Sequence, residues 1–467
     1  MTVGGPPGRD RVALSIALNP ASPPRLADGL ELLGEFKNSG YAQPPGLVKR
    51  ADGQMIQLSR LLYLVACRID GSREADAIAD LVSVDLGRSM TADQVGYVIS
   101  GKLAPLGIVA CQEVPAALPT ASPFLSLRAR ATLLPGRAAD AVGALLRPLF
   151  HWPVIGAVIA GIAAVDYWLF AIHGLGAALG QILNDPADLL LVVALTIVSG
   201  AFHECGHATG CRYGGARPGR IGVGIYLVWP SFFTNVTDSY RLSRGGRLRT
   251  DLGGLYFNLI FMLALASAYV ATSAPLLLLV IALTHVEMFE QLLPFVRFDG
   301  YFILSDFAGV PDLFARIGPV VRSGLSRGNG DPRIAGLRRN SRIAITAWVL
   351  CVIPLLGITM VYLVLHLPEI DRALWHSVSR AAQLTGADLT AHRYAASTAA
   401  ALGLALAGLS IVGSLYVAVG LVRRAVLAGL RWSHGQPRRR LLVVIVAIIC
   451  VAPLAIYWVA RGQFRDW

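Results

Sequence analysis

The sequence has little charge and almost no lysine. Of its 467 residues only 15% are charged against 55% hydrophobic, which excludes an ordinary soluble globular protein. Three of the 41 basic residues are lysines (Lys37, Lys49 and Lys102), so arginine supplies nearly all of the excess behind the formal charge of +12. The six cysteines, Cys67, Cys111, Cys205, Cys211, Cys351 and Cys450, show no CxxC spacing, and neither a zinc ribbon nor a disulfide framework is expected. Residues 1–10 are rich in Gly and Pro and lack a basic cap before an apolar core. A cleavable signal peptide is therefore not expected, and the N-terminus is expected to stay in the cytoplasm.

Long apolar runs are present, but only beyond residue 150. A bilayer core takes about 20 residues of helix, and seven stretches qualify: 153–172, 189–211, 252–271, 276–296, 343–365, 398–422 and 441–460. The arginines sort with them. Arg128, Arg130, Arg137 and Arg147 precede the first span, whereas the loop to the second span has no Lys or Arg and carries Asp185 and Asp188. The next inner segment holds seven arginines from Arg212 to Arg249, the one after span four seven from Arg316 to Arg342, and that before span seven six from Arg423 to Arg440. Short cytoplasmic loops carry such an excess, so the charge needs no nucleic-acid partner, and none is expected. A multi-pass protein of a bacterial cytoplasmic membrane, in contact with the lipid bilayer, is the reading that follows.

Ahead of the membrane half, residues 1–45 read as a flexible lead-in. Over residues 46–112 the Asp52-Gly53 turn signal joins two short strands. Three helical patterns follow, at 59–68, 73–84 and 91–102, the last opened by Thr91 with Gln94 three residues on. A final apolar run at 106–110 fits a returning strand. The fold class expected is mainly α, a polytopic transmembrane helical bundle of about seven spans with a small N-terminal winged-helix-like α+β domain.

The chemistry is concentrated in span two, at His203-Glu204-Cys205-Gly206-His207. Residues i and i+4 share a helix face, so both imidazoles can ligate one metal with Glu204 beside them. With nine His and eight Glu in the chain, such an H-E-x-x-H arises by chance roughly 0.003 times. A catalytic zinc takes three protein ligands. Asp299, at the inner end of span four, lies at similar depth, with Glu287, Glu290 and His285 as rivals. Asp251, Asn258, Glu287, Glu290 and Arg297 are polar groups able to line a wet cleft, and Arg297 can pair with Glu290 or Asp299. Cys205 reads as helix packing. Residues 221–238, rich in β-branched and aromatic residues, can offer a strand edge that holds a substrate extended.

The H-E-x-x-H, Gly254-x-x-x-Asn258 at the start of the next span, and the L-x-P-x-x-x-x-D-G that follows Gln291 and ends at Gly300 together resemble the core of site-2-protease-type (M50) intramembrane zinc metalloproteases. The likeness covers roughly residues 190–306. It implies one zinc per chain held by His203, His207 and Asp299, Glu204 as general base, and Asn258, Gly254 and Gln291 shaping the substrate cleft. Gln291 stands where that family usually has Asn. The setting from Pro230 to Asp238 and from Phe298 to Asp306 resembles the bacterial peptide zinc metalloprotease branch. Residues 57–73 are similar to a PqqD-like module, which implies that residues 46–112 bind the leader of a ribosomal peptide precursor.

The organisation expected is thus a lead-in (1–45), a PqqD-like winged-helix module (46–112), a linker and juxtamembrane segment (113–150), the metalloprotease membrane core (151–306) and further transmembrane helices (307–467). The expected activity is zinc-dependent cleavage of a peptide or membrane-associated protein near the cytoplasmic face, such as leader removal. The alternatives are a membrane transport or export component, against which the lack of repeats or an ATP-binding loop counts, and a non-catalytic peptide-binding receptor.

Overall fold

Polar turn residues and alternating apolar positions build an antiparallel sheet at the N-terminal end, in the order β1 (Glu31–Glu35), β2 (Gly46–Lys49), β3 (Met55–Leu58). The computed structural model describes residues 23–110, 128–174, 186–226, 229–325, 331–390 and 393–460. Between β2 and β3 the Asp52 carboxylate accepts the Gln54 amide at 3.0 Å, and Gly53 takes φ +82°, open to glycine at little cost. Three helices follow: α1 (Arg60–Arg68), α2 (Ala75–Leu86) and α3 (Ala92–Val98). Thr91 and Gln94 close the reciprocal capping box at the start of α3. Val48, Leu58, Val65, Ile78, Val82, Val95 and Ile108 form the core of this unit.

Two features differ from the sequence reading. Strand β1 falls inside the stretch read as lead-in, because its partner β2 lies beyond a ten-residue connection without a compact turn signal. The run at 106–110 does not form a full strand; it makes one bridge, Val109 to Leu26.

The segment read as linker also contributes structure. Strand β4 (Arg128–Leu134) pairs with β5 (Ile221–Tyr226), and β5 pairs with β6 (Trp229–Thr234), all antiparallel. Helix α4 (Gly136–Leu146) leads into α5 (Trp152–Asp166), which continues as a π-turn to His173. The long α6 (Pro186–Tyr213) carries the H-E-x-x-H. After the second sheet come α7 (Arg244–Asp251), α8 (Gly253–Thr272), α9 (Pro275–Leu292) and α10 (Asp299–Ala308). The remainder is helical: α11 (Ile317–Leu325), a short turn at Pro332–Ala335, then α12 (Arg339–Leu365), α13 (Leu367–Thr390), α14 (Tyr394–Ser433) and α15 (Pro437–Ala460).

Among the described residues six helices are long and apolar enough to cross a membrane: Trp152–His173, Ala187–Tyr213, Gly253–Thr272, Pro275–Leu292, Arg339–Leu365 and Tyr394–Gly413. The chain is a polytopic helical membrane protein with a small N-terminal sheet domain. The seventh stretch expected to cross falls in α15, which is not among the six.

Lipid gives helices no hydrophobic reason to associate, so close packing of small residues holds the bundle. Helix α6 touches α8 and α7 through glycines: a Cβ on Gly206 would lie 2.2 Å from the Gly253 carbonyl of α8, and one on Gly210 2.9 Å from the Arg249 carbonyl of α7. Helix α4 joins the same helix from the other side, with Gly143 against the Ala208 carbonyl and Asp140 3.2 Å from Arg212. Phe150 packs against the rings of Tyr213, Tyr256 and Phe257 where α8 begins, and Tyr256 donates to the Leu149 carbonyl at 2.7 Å.

Candidate metal centre

Helical spacing sets the first two groups. His203 and His207 lie one turn apart on α6, both buried, with their Nε2 atoms 3.0 Å apart. Their ring planes stand 78° apart, so the two nitrogens converge instead of stacking. The room they occupy comes from Gly254. A Cβ there would fall 2.3 Å from His203 Nε2 and 2.6 Å from His207 Nε2.

Asp299 completes the group from the first turn of α10. Its carboxylate lies 3.0 Å from His203 Nε2 and 3.4 Å from His207 Nε2. Span four ends at Leu292, earlier than read from the sequence, so Asp299 opens a separate helix. Pro294 cannot continue α9. Gly300 then lets the chain double back, since a Cβ there would meet the Leu292 carbonyl at 2.0 Å. Burial opposes charge on Asp299, but His207 and His203 beside it hold the carboxyl below the usual carboxylate range.

These three residues are the only group of metal-ligating side chains that converge among the described residues. The rivals do not join them. His285 donates to the Ile281 carbonyl at 2.9 Å and faces Asp166 at 3.2 Å, and Glu287 lies 3.4 Å from the Gln291 amide nitrogen. Arg297 binds Asp312 at 2.9 Å, not Glu290 or Asp299. Cys205 packs beside Ala139, Ala208 and Ile221.

The donor set fits zinc on geometry. Ligands about 2.1 Å from a tetrahedral zinc stand about 3.4 Å from one another; the two Nε2 atoms here are 3.0 Å apart, and Asp299 brings one carboxylate oxygen to 3.0 Å from His203 Nε2 and the other to 3.4 Å from His207 Nε2. The far side of His207 is also prepared. Its Nδ1 lies 2.8 Å from the Thr250 carbonyl, which can only accept, so Nδ1 carries the proton and Nε2 presents its lone pair.

Glu204 is buried beside the pair, and its Oε2 lies 2.6 Å from the hydroxyl of Thr234 at the end of β6. Nothing in the sequence singles out Thr234 within the 221–238 segment, because its partner stands 30 residues earlier. Asn258 is 1% exposed, and neither atom of its carboxamide has a hydrogen-bond partner among the described residues. The same holds for Gln291 Oε1.

Beneath the centre lies a charged cluster. Arg247 on α7 is fully buried, binds Asp306 of α10 at 2.7 Å, donates to the Lys37 carbonyl at 3.2 Å, and stacks 4.3 Å from the Phe36 ring. Asp251, read from the sequence as a cleft residue, sits against Asp306. Burial and that second carboxyl push its carboxyl well above the ordinary value.

No family model matches the chain, and no solved structure matches it significantly. One curated protein does: "Putative peptide zinc metalloprotease protein YydH" of Bacillus subtilis (strain 168), 26% identical over 126 residues. The match takes in 26% of this chain and 50% of that protein, so the chain spans about half the length of the relative it matches. This distant likeness supports a metalloprotease-like family and, with the His-His-Asp group, a zinc protease.

Proposed function

We propose that the chain is a zinc-dependent endopeptidase of the site-2-protease (M50) type, working within the membrane near its cytoplasmic face. The observation that carries the reading is the convergence of His203, His207 and Asp299 with Glu204 held beside them by Thr234. Zinc bound by those three residues supplies Lewis acidity, polarising a carbonyl and lowering the pKa of water to about 7. Glu204 then does the proton work. Its carboxylate takes a proton from the attacking water and returns it to the leaving amine nitrogen as the peptide C–N bond breaks. Thr234 keeps that carboxylate in one orientation through both transfers.

A helical substrate has its carbonyls occupied and must be extended before cleavage. Strand β6 is an edge of the β4-β5-β6 sheet and ends at Thr234, so a peptide added along it arrives beside Glu204. Gln291, with its unpartnered Oε1, is placed to bind such a chain. The N-terminal module reads as PqqD-like, and its three-stranded sheet would take up a precursor leader by the same strand addition, making leader removal the favoured activity. The N-terminus then lies in the cytoplasm and the bundle in a bacterial cytoplasmic membrane.

The test is zinc content of the detergent-purified protein alongside peptide cleavage. About one zinc per chain is expected in the wild type, lost in Asp299→Ala and kept in Glu204→Gln, with cleavage abolished in both. Wild-type protein that takes up no zinc from a replete buffer overturns the reading.

A further inference from the structure

One ring nitrogen of the centre is left over. His207 Nδ1 is held by the Thr250 carbonyl, whereas His203 Nδ1 is buried with no hydrogen-bond partner among the described residues. Metal-ligating histidines nearly always donate that second N–H, which fixes tautomer and ring orientation. Buried polar atoms in general find a partner.

The surroundings of the ring show where that partner is. The Cε1–Nε2 edge of His203 is what a Cβ on Gly254 would strike, at 2.4 and 2.3 Å. Nδ1 is bonded to Cε1, so it lies toward α8 as well. Helices α6 and α8 run antiparallel here, with Gly206 against Gly253 and the Phe202 ring 4.8 Å from that of Phe257. One turn beyond Gly254 on the same face of α8 is Asn258, which reaches the level between His203 and the preceding turn of α6. On that turn stands Ser199, four residues before His203. Ser199 Oγ, Asn258 Oδ1 and Asn258 Nδ2 are all buried and, like His203 Nδ1, lack a partner among the described residues.

We propose that Ser199 and Asn258 are positioning residues that hold His203 through one shared buried water. The water accepts from His203 Nδ1–H and is held by the serine hydroxyl and the carboxamide, the roughly three partners typical of an internal water. His203 is thereby kept with its lone pair on Nε2, as the Thr250 carbonyl keeps His207. The inference rests on the zinc reading above and gives Asn258 a task other than the cleft-shaping that the resemblance implies.

The experiment is zinc affinity of the full-length protein in detergent, by competition with a chromogenic chelator. Asn258→Leu, which keeps size and removes both polar atoms, is expected to weaken zinc binding about 10- to 100-fold, and Ser199→Ala to weaken it less. Asn258→Asp, which restores a polar oxygen, is expected to stay within about threefold of wild type. Because both side chains serve one water, the double variant is expected to be little worse than Asn258→Leu alone. Should Asn258→Leu fail to fold, Ser199→Ala decides the matter, and wild-type zinc affinity in that variant overturns the proposal. Wild-type affinity in both Asn258→Leu and Ser199→Ala overturns the proposal while leaving the zinc reading intact. A loss found only in Glu287→Gln overturns it too, assigning His203 to that carboxylate. No zinc in the wild type would instead sink the zinc reading itself.

Discussion

At the scale of single residues, the centre depends as much on what is small as on what is reactive. Gly254 leaves the space that two imidazoles fill, so Gly254→Ala drives a methyl group into both Nε2 atoms. The expected result is protein that inserts and folds but holds less than a tenth of the wild-type zinc, measured by metal analysis. Thr234 acts differently, because its hydroxyl touches the base and not the metal group. A hydrogen bond to a charged group contributes about 1.5–3 kcal/mol, so Thr234→Val should lower kcat roughly 10- to 100-fold. Zinc content should not change, and KM should move little; a loss of zinc in Thr234→Val would show that the threonine supports the metal group instead. Arg247 is the third case. Removing one partner of a buried ion pair leaves a charge stranded, which costs about 3–5 kcal/mol. Arg247→Ala is therefore expected to lower the thermal midpoint in detergent by several degrees, and Asp306→Asn by less, because the arginine keeps its bonds to the Lys37 and Leu242 carbonyls.

At the scale of elements, legibility followed the distance between partners. The i, i+4 histidines lie on one helix and could be placed from spacing alone, as could the capping box at Thr91 and the hairpin at Asp52-Gly53. Their interactions close within a few residues. Strand β4 is hidden in a segment read as linker because Ala131 pairs with Val223, across two whole membrane spans. Thr234 was missed for the same reason, and so was the pairing of Arg297 with Asp312 across α10. Asp299 was legible as a candidate, but not its place at the start of a new helix, which depends on how closely Gly300 approaches the Leu292 carbonyl. The sheet β4-β5-β6 also has a consequence of its own. If β6 receives substrate, its outward N–H and C=O groups must stay free, so a proline at Phe232 or Phe233 removes a main-chain donor. Each variant removes one N–H, but the two residues face opposite sides of the strand. Only the variant whose N–H points away from β5 is expected to raise KM more than about tenfold with zinc retained; equal and small effects in both would exclude this edge as the docking strand.

At the scale of the whole molecule, the N-terminal module is bonded to the same end of the bundle that carries the arginine clusters. Lys49 pairs with Asp238 at 3.3 Å and Glu31 with Arg241 at 3.0 Å, while Arg244 donates to the Asn38 carbonyl at 2.8 Å. Gly40 threads between α10 and α12, its amide donating to the Gly309 carbonyl and its own carbonyl accepting from the Arg338 amide, each at 2.8 Å. No side chain fits at that point, since a Cβ would lie 2.2 Å from the Ala308 carbonyl. Module and arginine-rich face must therefore share one side of the membrane, the side that the proposed orientation puts in the cytoplasm. Cys67, exposed on α1, reports on it. In a variant keeping only this cysteine, a membrane-impermeant maleimide should label inside-out vesicles and spare intact spheroplasts. The rate of that labelling depends on pH. Burial of its sulfur raises the thiol above its ordinary pKa, with the Tyr63 hydroxyl opposing. At neutral pH the thiolate is thus the minor form, and its fraction grows about tenfold per pH unit until the pKa is reached. Labelling should accelerate by about that factor between pH 7 and 8 in inside-out vesicles. Rapid labelling in intact spheroplasts would place the module outside, separating it from any cytoplasmic precursor and removing leader capture from its functions.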